Sequence, residues 1–401
     1  MKQPFSRLLR RLRRRSRLGA LTFRLTAIPG TTPAGATIYL TGSCNGWTTD
    51  APAFALAFDP ADGSYRLTVP PGSGTLEYKF CRGSWDTIET DADNRAMPNR
   101  RALWGRTAQL IEQQILNWED EGGQIPPRPH SASPNVHIIS QAFIIPQLRR
   151  TRRVWVYLPP GYASSARHYP VLYLQDGQNV FDEYTSYAGE WGVDETLDQL
   201  AASGHDLGGC LVVAIDNGGA RRLDEYSPWR NDRIKRGGEG EQYAAFLVDT
   251  LKPYIDQHYR TQPGREATGI AGSSMGGLVA TYAALRYPAV FGRVGVFSPA
   301  FWFAGQALLA YVAQHSPQPD TRFYFVSGTQ EGPTMVPLMA AVRTALQEAG
   351  VPASHLSFSA QPDGQHAEWF WRREFAAAYT WLFADALPAA APEDLPTTSR
   401  A

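Results

Sequence analysis

Thr268-Gly-Ile-Ala-Gly272-Ser273-Ser274-Met275-Gly276-Gly277 runs a short apolar strand into Gly-x-Ser-x-Gly and on into the helical pattern Leu278–Tyr287, which Pro288 stops. So sharp a strand-to-helix turn brings backbone against backbone, and Gly272 and Gly276 supply the missing Cβ atoms that let the two elements approach. Ser274, at the centre, is expected in a strained conformation, its hydroxyl above the sheet at a helix N-terminus. In a chain with 36 glycines a bare Gly-x-Ser-x-Gly means little. The strand before it and the helix after it make Ser274 a candidate nucleophile, with Ser273 only its neighbour.

Outward from this turn, residues 136–386 alternate short β-branched runs with longer helical patterns. The strands expected are Val154–Leu158, Val171–Leu174, Leu211–Ile215, Thr268–Ala271, Val294–Phe297, Phe323–Val326 and Leu356–Ser359. The helices expected are 190–203, 239–258, 275–287, 304–315, 333–349 and 367–384. Continuous apolar strands between helices of this length specify an α/β fold, a doubly wound, mostly parallel sheet covered on both faces.

Ligands of such sheets gather at the carboxyl ends of the strands, and two further strand ends carry chemistry. Where a serine nucleophile heads the sheet, an acid and then a histidine follow it in the chain. Glu331 lies just past the strand Phe323–Val326; Asp320 precedes that strand and Asp363 crowds the histidine. His366, alone among 8 histidines, sits in a Gly-bearing loop between a last strand and a last helix. Glu331 is the candidate acid and His366 the candidate base. Oxyanion donors are expected from the Met275 N–H at the helix start and from the Gln178 N–H after Val171–Leu174, where Gly177 allows the turn. From their strand-end positions Phe301 and Trp302 are candidates to wall a substrate pocket, and Arg222 and Tyr226 to line its leaving-group side.

The first hundred residues read differently. Runs at Thr22–Ala27, Ala36–Leu40, Ala53–Phe58, Ser64–Val69, Thr75–Cys81 and Thr107–Ile115, broken by Gly, Pro, Asn and Asp, predict a small antiparallel β-sandwich over 21–118. Residues 119–135 are a Pro/Gly-rich linker, 136–386 the α/β domain, and 387–401 an Ala/Pro-rich tail expected to be disordered. Residues 1–20 form a basic arm with eight cationic side chains and no acid, so the net charge of +0 hides a mildly acidic body. That argues against nucleic acid as a ligand. Three scattered cysteines, Cys44, Cys81 and Cys210, fit neither a disulfide framework nor CxxC zinc spacing, so no metal or cofactor is expected. No 18-residue apolar run or signal-peptide core is present; the expectation is a cytoplasmic protein without membrane insertion.

Residues 136–384 resemble the putative-esterase branch of the α/β-hydrolases, the group of esterase D, enterochelin esterases, feruloyl esterases and mycolyltransferases. The matching segments are Val154-Trp-Val-Tyr-Leu-Pro-Pro-Gly-Tyr162, Leu174-Gln-Asp-Gly-Gln-Asn-Val-Phe-Asp182, Asp224-Glu-Tyr-Ser-Pro-Trp229, Ala271-Gly-Ser-Ser-Met-Gly-Gly277, Phe297-Ser-Pro-Ala-Phe-Trp302 and Gly364-Gln-His366. The resemblance implies a metal-free serine esterase with Ser274, Glu331 and His366 as triad, acting on an ester of a small molecule or carbohydrate. Several relatives carry Asp where this chain has Glu331. An acyltransferase would use the same triad, and a glycan-binding protein with a vestigial hydrolase domain is the other alternative.

Thr41-Gly-Ser-Cys-Asn-Gly-Trp47, Leu76-Glu-Tyr-Lys-Phe80, Gly83-Ser-Trp85 and Pro98-Asn99 resemble the immunoglobulin-like starch- and glycogen-binding modules of amylolytic enzymes. By that resemblance Trp47 and Trp85 would stack on an α-glucan while Lys79 and Asn99 offer hydrogen bonds; the alternative is that Trp47 is a core residue and the module only a lid or spacer.

Overall fold

The structure, a computed structural model, describes residues 19–92, 94–121, 129–187, 189–315 and 317–384; the basic arm through residue 18, linker residues 122–128 and the tail lie outside them. The chain divides into two compact units, Met1–Pro127 and Arg128–Ala401.

The second unit is built on one sheet of eight strands: β1 (Val136–Ile145), β2 (Arg150–Tyr157), β3 (Val171–Gln175), β4 (Leu211–Ile215), β5 (Thr268–Ser273), β6 (Arg293–Phe297), β7 (Arg322–Gly328) and β8 (Leu356–Gln361). Their spatial order is β1-β2-β4-β3-β5-β6-β7-β8. From β4 to β8 all neighbours pair in parallel, while β2 runs antiparallel to both β1 and β4. The central strands are apolar throughout because helices cover both faces. Against one face pack α1 (Val193–Ala202) and, from the chain's end, a C-terminal helix, Glu368–Phe383. Against the other lie α2 (Gly240–Phe246), α3 (Lys252–His258), α4 (Met275–Arg286), α5 (Gly305–Gln314) and α6 (Met335–Glu348). The C-terminal helix is α7. Nearly all of α4 is buried, as its apolar sequence on every side requires.

Three features depart from the sequence reading. Strand β1 was not expected: it is an edge strand, largely exposed and broken by two register shifts, so its alternation is weak. The helix expected over 239–258 carries a π turn, Leu247–Leu251, between α2 and α3. Pro253 in the following turn has no N–H for the carbonyl four residues back, and a widened turn absorbs the loss. In the first unit the expected strand Ala53–Phe58 is a 3-10 turn, Pro52–Phe54, and a short strand, Ala57–Asp59. Proline both opens that turn and lacks a ladder donor.

The first unit holds a four-stranded and a three-stranded sheet with a separate two-stranded ladder, closed over Phe23, Leu40, Tyr78, Phe80 and Trp118. It is not purely antiparallel. Leu21–Ala27 pairs antiparallel with Ser64–Val69 but parallel with Gln109–Gln114. The short strands Glu89–Thr90, Arg100–Leu103 and Asn117–Trp118 carry too little pattern to have been read.

Candidate active site

Ser274 sits between β5 and α4 at φ 55 and ψ −120, a left-sided conformation that a non-glycine residue adopts only when its surroundings enforce it. Two hydrogen bonds do so: its N–H donates to the Phe297 carbonyl at 3.0 Å, and its own carbonyl accepts from the Ala300 N–H at 2.8 Å. The glycine argument holds atom by atom. A Cβ on Gly272 would lie 2.8 Å from the Gly276 carbonyl carbon, and one on Gly276 would lie 3.1 Å from the Gln175 Cβ.

Beyond β7, Glu331 has its side chain wholly shut from solvent. One carboxylate oxygen accepts from Ser298 Oγ at 2.8 Å and from the Gly328 N–H at 2.5 Å; the other meets His366 Nδ1 at 2.7 Å. With Nδ1–H committed to a carboxylate, Nε2 is left unprotonated in the neutral ring, the form a general base requires. The Trp371 ring stands edge-on to the imidazole at 5.2 Å between centroids, and its N–H donates to Ser298 Oγ at 2.9 Å. Ser298 thus joins the acid to α7 directly after the end of β6, itself at φ 42. The acid and base loops meet so closely that a Cβ on Gly328 would fall 1.9 Å from the Gly364 carbonyl oxygen. Only glycine fits there.

Met275 occupies the first turn of α4, where backbone N–H groups have no partner within the helix. Gln178 lies in the short turn Gly177–Asn179, entered through Asp176 in the left-handed region at φ 59. That turn abuts the start of α4: a Cβ on Gly276 would be 3.4 Å from an Asp176 carboxylate oxygen. Thr185 Oγ1 donates to the Gln178 carbonyl at 2.8 Å, and the Gln178 side chain accepts from the Asn217 N–H at 3.1 Å. Asp176 itself is clamped by Arg222, whose two nitrogens reach its oxygens at 2.6 and 2.8 Å, and by Asn217 at 2.8 Å.

Arg222 therefore serves the turn, with its guanidinium 5.2 Å over the Tyr226 ring. Tyr226 is fully buried and its hydroxyl accepts from the Asp176 N–H at 3.2 Å, so it supports that turn from beneath rather than lining a pocket. Phe301 is likewise buried in the core, while Trp302 is 39% exposed. Both edge a depression lined further by Phe303, Gly305, Leu309 and Leu338, which includes none of Ser274, Glu331 and His366.

Two contributors escaped the sequence reading: Ser298 and Asp176. Each lies directly after the end of a strand, and that position was the signal available. A cluster that could offer oxygen ligands to a cation, Glu190, Asp194 and Glu195, has carboxylate oxygens within 4.8 Å of one another. Burial pushes Glu190 up to about 7 and raises Asp194 as well, which favours the protonated form of both.

In the first unit the Trp47 and Trp85 rings lie 6.1 Å apart at 34°, and Trp85 is 42% exposed. Lys79 is buried and donates to the Met97 carbonyl, and Asn99 donates to Glu77 at 3.5 Å. Of the aromatic pair Trp85 is exposed and Trp47 half-buried; the two polar side chains are engaged within the unit.

The family model described as "Putative esterase" matches residues 145–382. The chain is 28% identical over 245 residues to the uncharacterized protein YbbA of Bacillus subtilis, covering 58% of this chain and 92% of that protein. It is 27% identical over 264 residues to the iron(III) enterobactin esterase of Dickeya dadantii, covering 62% of this chain but only 55% of that enzyme's length. Among solved structures, the enterobactin esterase of Shigella flexneri superposes with a TM-score of 0.52 at 16% identity, covering 88% of this chain and 89% of that one. That likeness is one of fold. Among the described residues no helix is long and apolar enough to cross a membrane.

Proposed function

The chain belongs to the putative-esterase family and is an ester-hydrolysing enzyme, and from that premise we propose that it cleaves carboxylic esters through Ser274, His366 and Glu331. His366 Nε2 takes the Ser274 proton as the hydroxyl oxygen attacks the ester carbonyl. Glu331 holds the ring by Nδ1 and stabilises the imidazolium that forms. The N–H groups of Met275 and Gln178 receive the oxyanion, each such donor being worth roughly 3–4 kcal/mol in the transition state. The alcohol leaves with the proton from His366, and water then releases the acid from Ser274 by the same steps in reverse.

One observation carries this reading: Glu331, buried and held by two further donors, aims its free oxygen at His366 Nδ1 2.7 Å away, on the end of the sheet where Ser274 is strained upward. Both oxygens of this carboxylate face donors, which fixes the imidazole with its proton on Nδ1. The substrate is an ester of a small molecule or a carbohydrate. The Trp47 and Trp85 pair, with the Trp85 ring exposed, suits the apolar face of a pyranose in an α-glucan.

A fluorophosphonate probe applied to the purified protein, together with p-nitrophenyl esters of rising chain length and acetylated or feruloylated sugars, tests the chemistry. Labelling and hydrolysis that both disappear in Ser274→Ala are the expected result; a folded protein that takes no label overturns it. Release of product with an added alcohol in place of water would mark an acyltransferase.

A further inference from the structure

Two residues beyond the candidate base, at the first position of α7, stands a buried glutamate that the mechanism above leaves unused. Glu368 is 9% exposed, and its Oε1 accepts from Asn179 Nδ2 at 3.3 Å across 189 residues of chain. Asn179 closes the turn that carries Gln178, and its own Oδ1 accepts from the Tyr187 N–H at 2.9 Å. One side chain therefore spans from the loop bearing the base to the turn bearing the second oxyanion donor. The charges that act on it are those of His366 from its own loop, Asp176 from the turn after β3 and Arg222 from the helical turn after β4. The backbone of Gly189 closes the remaining side, where a Cβ would lie 3.5 Å from that of Glu368.

We propose that Glu368 is a positioning residue for ester hydrolysis: it ties the His366 loop to the Gln178 turn through Asn179 and gives the imidazolium a second negative neighbour beside Glu331. The proposal rests on the reading of His366 as base. Burial is the largest influence on its carboxyl and holds it up to about 7, while the opposing effects of His366 and Arg222 favour its charged form. Protonation of His366 and ionisation of Glu368 thus assist each other, because each supplies the opposite charge in a site of low dielectric. When Ser274 gives up its proton, Glu331 fixes the orientation of the ring that receives it, and Glu368 adds a second negative charge.

A neutral isostere separates these effects. Glu368→Gln keeps an oxygen for Asn179 and removes the charge. The expected outcome is a fall in plateau kcat of about three- to ten-fold with KM unchanged, and an acid limb of the kcat/KM profile displaced toward lower pH, since the imidazole loses a negative neighbour. Asn179→Ala should lower kcat without moving that limb, because it cuts the tether and leaves the charge. Wild-type limb and wild-type kcat in Glu368→Gln would overturn the proposal, as would a uniform loss of activity at every pH accompanied by a lower melting temperature. Should Glu368→Gln fail to fold, Glu368→Asp decides, because it keeps the charge and shortens the reach to Asn179: a wild-type limb with kcat lowered as in Asn179→Ala supports the proposal, and a displaced limb or a wild-type kcat refutes it. Fluorophosphonate labelling of each variant keeps the two readings distinct. Labelling that survives Ser274→Ala sinks the hydrolytic mechanism itself, whereas labelling that persists with an unmoved limb sinks only the role of Glu368.

Discussion

At the scale of single residues, the site is a set of side chains held by one another rather than by solvent. Glu331 illustrates this. Its carboxylate is excluded from water yet receives donors from Ser298, Gly328 and His366, so its charge is balanced by hydrogen bonds already in place. Replacing it by Gln keeps the shape but allows the amide to present N–H to the ring, favouring the wrong tautomer. Glu331→Gln is therefore expected to lower kcat by roughly 10³- to 10⁴-fold with little change in KM, measured on a p-nitrophenyl ester. A loss below about ten-fold would mean that this glutamate does not orient the base. Ser274 and Ser298, both at positive φ, mark where the fold holds backbone in unfavourable conformations to present side chains.

At the scale of elements, the geometry of the site follows from how strand ends meet helix starts. The Asp176 turn leans on α4, the Gly328 and Gly364 backbones touch, and α7 returns Trp371 and Glu368 to the sheet's edge. A different stress lies at the start of α1, where Asp194 is fully buried beside Glu190 and Glu195. An acid held above its unfolded value binds more protons in the folded state than in the unfolded one. Stability is then greatest below the unfolded pKa, near 4, and falls as pH rises from there through the raised folded value. Asp194→Asn removes the titration while keeping an acceptor for the Ser133 N–H, which now reaches Asp194 at 2.7 Å. Its melting temperature should exceed that of the wild type by more at pH 8 than at pH 5. Equal shifts at both values would show that Asp194 does not titrate in this interval.

At the scale of the whole molecule, each unit has a core of its own, one closed over Phe23, Tyr78 and Trp118 and one on both faces of the eight-stranded sheet. Every candidate catalytic residue belongs to the second unit, so a chain of residues 129–384 is expected to hydrolyse p-nitrophenyl esters with kcat/KM within a few-fold of the full chain. Loss of activity in a folded fragment would show that the first unit contributes to the chemistry. The first unit expressed by itself should bind amylose in a pull-down, and Trp85→Ala should abolish the retention; binding that survives the substitution would place any glucan elsewhere.

The alternation of strands and helices in the second unit was legible in the sequence because hydrophobic period and turn chemistry are local properties. Ser274, Glu331 and His366 could be picked out for the same reason, each being attached to the end of a strand that its own neighbours define. The edge strand β1, the parallel pairing of Leu21–Ala27 with Gln109–Gln114 and the π turn before Pro253 were not legible, since exposed or irregular segments carry little periodicity. Only the tertiary structure could assign Tyr226 to the scaffold, give Asp176 to Arg222, place Ser298 against Glu331 across 33 residues and bring Glu368 to Asn179 across 189. Such partners are chosen by packing in three dimensions, where a hydrogen bond between distant segments leaves no periodic trace in either one.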